Sequence, residues 1–298
     1  MKKILCSFLS VVLLLICLGG CDSLRGTRET PTTPANDFEY RTNSDGGVTI
    51  TKYIGKGGAV AIPDMINASP VTQIGAQAFI SSLVVSLTMP DTVKLIGEYA
   101  FAGCVYLESV TLSNSLTKID ASAFMGCFSL RHVRIPVSVV TISDSAFADC
   151  TRLESVEFYE GLEQIFPYAF HNTGLSKLIL PKSVKAIGDG AFSDCPALKT
   201  VTLNDGLLTI GIEAFAKDLK LAEIVIPKTV TTVTNAAFSG CSGLKKVTFD
   251  GDAPDSYLYD AEAVPHISFC PVEYTVYYHK DAKGFTSPEW AGFQTQVK

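Results

Sequence analysis

Cysteine and histidine are the residue types best able to carry chemistry here, and their spacing argues against most of it. The chain holds nine Cys and four His in 298 residues. Cys6, Cys17 and Cys21 lie in or beside the N-terminal apolar run. Cys104, Cys127, Cys150, Cys195 and Cys241 follow at separations of 23, 23, 45 and 46, and Cys270 stands apart. A zinc site asks for Cys-x-x-Cys or His-x₃₋₅-His. Neither occurs, so no metal and no cofactor are expected. His132, His171, His266 and His279 are scattered, and none has a Ser or Cys placed beside it by the spacing. The chain also lacks His-Glu-x-x-His, Gly-x-Ser-x-Gly, a Walker loop and a dinucleotide fingerprint. An enzyme is therefore not expected. The enzymatic alternative is a glycan-acting site built from surface carboxylates such as Glu157.

The elements that must position these residues repeat. Ala-Phe recurs at Phe79, Phe101, Phe124, Phe147, Phe170, Phe192, Phe215 and Phe238, at intervals of 22, 23, 23, 23, 22, 23 and 23. A fixed period of this length is the signature of a solenoid. Five residues before each Phe stands an aliphatic residue, from Ile74 and Ile96 to Val233. After it comes Leu-x-x-Val-x-Leu, as in Leu107/Val110/Leu112 and Leu130/Val133/Ile135. The Val-x-Leu pair has period 2, so both side chains face one side of a strand. Strands one repeat apart run the same way and should pair in parallel as one long sheet. Pro63, Pro90, Pro136, Pro181 and Pro227 end strands. Two residues past each Phe, Gly, Asn or Asp dominate, with Ser81 and Lys217 the exceptions. Those types tolerate positive φ, so a one-turn helix closed by a left-handed residue is expected there. The fold class is thus a repeat solenoid, a leucine-rich-repeat-like right-handed coil with a parallel β-sheet and short helical turns, capped at both ends.

This register disposes of the cysteines. Five of them share the position three residues after the Phe. Stacked repeats hold such residues about 4.8 Å apart with parallel side chains, whereas a disulfide wants Cβ atoms near 3.8 Å and convergent. A ladder of buried thiols is expected in preference to disulfides.

The unit Val93-Lys94-Leu95-Ile96-Gly97-Glu98-Tyr99-Ala100-Phe101-Ala102-Gly103-Cys104 closely resembles the BspA-like, Treponema-type leucine-rich repeats of bacterial surface proteins, over about 59–250. Residues 37–58 read as an N-terminal hairpin cap and 251–298 as a C-terminal cap, whose aromatic residues are expected to act as a lid. At the start, Lys2 and Lys3 precede the apolar run Ile4–Leu18, a secretory signal pattern over 1–20. Leu18-Gly19-Gly20-Cys21 resembles the bacterial lipobox, which implies cleavage before Cys21 and lipidation of its sulfur. Residues 21–36, rich in Ser, Thr and Pro, read as a flexible tether. Asp22 is a weak signal for inner-membrane retention; the outer membrane or cell surface is the expected address.

Composition narrows the partners. Lys+Arg 24 against Asp+Glu 30 leaves a net charge of −6, so no nucleic-acid partner is expected. The apolar fraction of 47% is too high for a disordered chain. Recognition should use the outward strand positions, where His132, Arg134, Glu157, Lys177, Ile179, Glu223 and Val225 are the candidates. Ordinary β-surface chemistry is the first reading of Ile179 and Val225, ahead of a contact patch, and Arg134 with Glu157 could simply pair. The resemblance implies a monomeric adhesin or interaction module for a protein or cell-surface ligand, including host extracellular matrix. The alternative is a scaffold facing the periplasm.

Overall fold

The computed structural model describes residues 32–234, 236–254, 275–290 and 293–298. The expected signal peptide, the lipidation site Cys21, most of the tether, His266 and Cys270 lie outside the described residues.

Each repeat is one coil, and three hydrogen-bonded rows run along the stack. The first row carries the Ile before each Phe. Two-residue strands such as Lys118–Ile119, Thr141–Ile142 and Gln164–Ile165 pair in parallel, with Ile142 opposite both Ile119 and Ile165. This row runs from Phe38–Thr42 at the N-terminal edge to Thr232–Val233. The second row is the Val-x-Leu sheet. Gly58–Ala61, Val84–Thr88, Ser109–Thr111, His132–Arg134 and Ser155–Glu157 pair consecutively. The expected single long sheet is interrupted twice. Lys177–Ile179 pairs only with Thr200–Thr202, and a third piece begins at Glu223–Ile226. The first interruption falls where one repeat is a residue short, between Ser155 and Lys177.

The third row corrects the expected helical turns. The 3-10 turn Ala35–Asp37 is the one helical element among the described residues. Around each Phe the chain instead makes consecutive tight turns. In one coil the N–H groups of Ala100, Ala102 and Cys104 close turns onto Gly97, Tyr99 and Phe101. The alternate N–H groups, of Tyr99, Phe101 and Gly103, donate to the next coil at Ala121, Ala123 and Met125. A helix needs every N–H for its own turn. Here half of them hold the neighbouring coil, so helix and stacking compete and stacking prevails. The geometry requires positive φ on both sides of the Phe. Gly103, Gly126, Asp149, Asn172 and Asp194 take it as their types suggest, and so do Ser81 and Lys217. Tyr99, Ser122, Ser145 and Tyr168, two residues before the Phe, are also left-handed, at φ 54 to 55°.

The rings form the spine that the period implies. All eight Phe are fully buried. Centroids of successive rings lie 4.7 Å apart at Phe79–Phe101 and 5.6 Å apart at Phe215–Phe238, and from Phe101 onward successive ring planes are within 11° of parallel. Burying one such ring contributes roughly 1.5–3 kcal/mol. The ends continue the pattern with different residues. The hairpin Phe38–Thr42/Val48–Tyr53 stacks Tyr53 on Phe79 at 5.0 Å. At the far end Thr275–Tyr278 pairs with Lys246–Phe249 and with Phe293–Val297, while Phe285 and Trp290 cover Phe249. Thr33, within the stretch expected to be tether, is tied to the strand Gly58–Ala61: its N–H donates to Ala61 O and its Oγ1 accepts the Ala61 N–H.

The cysteine column is as the spacing implies. Cys104, Cys127, Cys150, Cys195 and Cys241 are fully buried and unlinked by disulfides. Each thiol donates to the carbonyl of a Phe in the coil before it, such as Cys127 to Phe101 at 3.3 Å and Cys150 to Phe124 at 3.2 Å. Burial pushes the Cys104 thiol up to about 11 and the Cys195 thiol up to about 12. A protonated thiol is a poor nucleophile and metal ligand, so the column is structural.

Candidate functional site

All seven outward candidates stand on the solvent face of the Val-x-Leu strands, because the inner pair at each strand is committed to the core. The two interruptions divide them. His132, Arg134 and Glu157 share the first piece, Lys177 and Ile179 the second, and Glu223 and Val225 the third. Ile179 and Val225 are 53% and 48% exposed and separated by the strand bearing Thr202, so they form no joint apolar patch. Glu223 and Val225 border a shallow groove with Lys199, Lys246 and Thr248, and Lys246 lies over the Tyr277 ring at 5.3 Å.

The first piece carries the built cluster. Parallel pairing in register sets His132 beside Ser155 and Arg134 beside Glu157. Glu157 lies 3.7 Å from Arg134 Nε and 3.7 Å from His132 Nε2. Tyr159, two residues beyond Glu157, completes it. Its hydroxyl donates to Glu157 Oε2 at 2.9 Å and accepts from Arg134 Nε at 2.7 Å, and its ring lies 5.0 Å from the guanidinium carbon. One edge of the Arg134 fork is thereby fixed, and its side chain remains 69% exposed. At this exposure the ion pairs add about 0–1 kcal/mol, so the cluster does little for the fold.

Tyr159 escaped the sequence reading, although a signal was present. It occupies the slot just after the strand that holds Pro63, Pro90, Pro136, Pro181 and Pro227 in other repeats. A large ring in place of proline raises a wall on an otherwise level face. With Val110, Leu112, Pro136 and Val137 on the other sides it bounds an open groove of about 520 Å³, with His132, Arg134, Thr111 and Asn114 supplying polar groups.

The expectation that the repeat places no serine beside a histidine is wrong. His132 Nδ1 is 2.9 Å from Ser155 Oγ, and His171 Nδ1 is 2.8 Å from Ser193 Oγ. Both pairs join residues one repeat apart, a neighbour relation that linear proximity does not display. Ser155, His132 and Glu157 bring together the residue types of a nucleophile triad, although Glu157 stands 3.7 Å from His132 Nε2, beyond hydrogen-bond reach. Their setting differs from one. Ser155 stands exposed on a strand, His132 is half exposed, and Glu157 is shared with Arg134 and Tyr159. Acyl transfer draws most of its acceleration from donors preset around an oxyanion in a dry site. An open face of this kind is suited to holding a partner's polar groups.

The comparisons agree with this architecture. The profile of the BspA type leucine rich repeat region matches six copies over residues 72–198 and 163–254. The chain belongs to the BspA-type leucine-rich repeat family. Among solved structures it is similar to the Treponema pallidum leucine rich repeat protein, with 32% identity, 72% of this chain and 91% of that chain covered, and a TM-score of 0.55. Weaker likenesses include a leucine rich cell surface protein of Faecalibacterium prausnitzii at 22% identity, with coverages of 73% and 88% and a TM-score of 0.44. The pneumococcal vaccine antigen PcpA matches at 20% identity, with coverages of 84% and 94% and a TM-score of 0.45. The comparison with curated proteins gives no match.

Proposed function

We propose that this protein is a lipid-anchored envelope module that binds a protein partner through the sheet face centred on Arg134 and Tyr159. The carrying observation is the groove itself. A preset guanidinium, an aromatic wall and an apolar floor converge on a rigid face where the ion pairs contribute little to stability. Arg and Tyr are the residue types on which interface energy concentrates. The partner is a protein displayed by another cell or by host matrix, bound by a monomer, and the reading includes no catalytic step. Anchoring at Cys21 follows from the lipobox, with the outer membrane or cell surface as the address.

Three measurements test this reading. Radiolabelled palmitate should enter the wild-type chain and not Cys21→Ser. Protease treatment of intact cells should remove the protein; full protection would instead favour the scaffold facing the periplasm. Binding of the full chain to immobilised matrix proteins or cells should fall at least tenfold for Arg134→Ala or Tyr159→Ala, with the melting temperature kept. Equal binding by both variants would reject this face.

A further inference from the structure

The column three residues past each phenylalanine reads Ser82, Cys104, Cys127, Cys150, Thr173, Cys195, Asp218, Cys241. Every residue but one is neutral and carries a hydrogen to donate. The exception is Asp218, which is fully buried. Its Oδ1 accepts the Cys195 N–H at 2.9 Å, and its buried Oδ2 has no hydrogen-bond partner.

The neighbouring coils show what the slot is for. Cys104 donates to Phe79 O at 3.1 Å, Cys195 to Phe170 O at 3.4 Å and Cys241 to Phe215 O at 2.9 Å. By the same step, the carbonyl that Asp218 would serve is that of Phe192. This carbonyl has also lost its turn partner. Cys104 and Cys150 return their N–H groups to Phe101 O and Phe147 O, whereas the Cys195 N–H is drawn to Asp218. An ionised carboxylate in this slot has a single N–H partner and no hydrogen to offer a carbonyl, one of the costliest arrangements to bury. A carboxylic acid has the missing hydrogen.

The surrounding groups do not favour a charge. The Cys195 and Cys241 thiols flank Asp218 along the column. The Asp194 carboxylate disfavours a second negative charge, and the Lys217 ammonium is held by Asp194 at 3.3 Å. Burial above all, with Asp194 adding to it, pushes the Asp218 carboxyl well above the usual range despite the Cys195 N–H.

We propose that Asp218 is a neutral carboxylic acid in the folded protein, replacing the thiol as donor to the Phe192 carbonyl. The coil around Phe215 is thereby a pH-sensitive joint that weakens as pH rises. The sign follows from linkage. The unfolded carboxyl ionises near pH 4. Below that pH Asp218 costs nothing. Above it, each pH unit raises the unfolding constant about tenfold for as long as the folded acid keeps its proton.

Asp218→Asn keeps an acceptor for Cys195 N–H and a donor for Phe192 O but cannot ionise, and Asp218→Cys restores the column. Urea unfolding of the full chain from pH 4 to 8 should find both variants similar to wild type near pH 4. By pH 7 they should be more stable, with an unfolding constant at least tenfold smaller. Carbon-13 labelling of aspartate carboxyls gives a readout without mutation: the Asp218 resonance should keep its protonated shift at pH values where the other aspartates have titrated. Variants that track wild type at every pH, or an Asp218 resonance titrating with the rest, would overturn the proposal. If a variant does not fold, the resonance alone decides.

Discussion

A thiol at Cys104 or Cys195 meets a backbone carbonyl and the hydroxyl of Ser82 or Thr173, and is closed off from the surface. Two outcomes follow at this scale. In the folded chain at pH 8, Cys104, Cys127, Cys150 and Cys195 should react with iodoacetamide only as fast as the coils open, read by mass spectrometry of their peptides. The folded pKa values of Cys104, Cys127 and Cys195 lie above the unfolded value of about 8.5. The stability they contribute is therefore complete below that pH and is lost as pH rises toward the folded values, so urea midpoints should fall above about pH 9. Arg134→Ala and Tyr159→Ala should each change stability by less than about 1 kcal/mol in the same measurement, because their contacts are exposed. The cysteine column was legible because five residues at one repeat position leave little choice of geometry. The Ser155–His132 and Ser193–His171 pairs were not. They become neighbours only once residues 22 or 23 apart are set side by side.

At the scale of the turn, the left-handed positions decide how a coil closes. The column after the Phe was legible because Gly103, Gly126, Asp149 and Asn172 advertise positive φ by type. The column before it was not, since Tyr99, Ser122 and Ser145 carry no such signal. Their conformation is imposed by the ladder to the next coil, which residue-by-residue preference does not contain. The strain can be measured. Ser145→Gly should raise stability by about 1 kcal/mol, and Gly126→Ala should lower it by a similar amount, by urea midpoint. A Cβ built on Gly126 meets nothing closer than 3.8 Å, so the second change reports backbone strain rather than a clash. The Ile row was foreseen as an apolar ladder and not as a sheet. Its strands are two residues long, too short to display alternation.

Across the whole molecule, each coil touches only the coils before and after it, so stability is a sum of nearest-neighbour terms. Phe147→Ala should cost about 3–5 kcal/mol. Removing one ring from mid-stack should also uncouple the two flanking segments, so that circular dichroism and Trp290 fluorescence no longer report coincident transitions; a single shared midpoint would show that the coupling survives the gap. The period made this level the most legible of the three, because eight phenylalanines at one spacing define a stack whatever lies between them. The ends were legible in part: the C-terminal aromatic lid was expected, and Phe285 and Trp290 cover Phe249, whereas Tyr53 extends the stack at the other end without belonging to any repeat. The shared rows carry a consequence for how such a chain can change over generations. Every interior coil offers one edge like the edge it receives. Copying the segment Leu116–Ser138 in tandem would insert one rung of about 4.8 Å and leave both terminal structures intact. Recombination between repeats could thus lengthen or shorten this protein's reach without redesigning its interior, while Tyr159 and Asp218 stay as local marks on otherwise interchangeable parts.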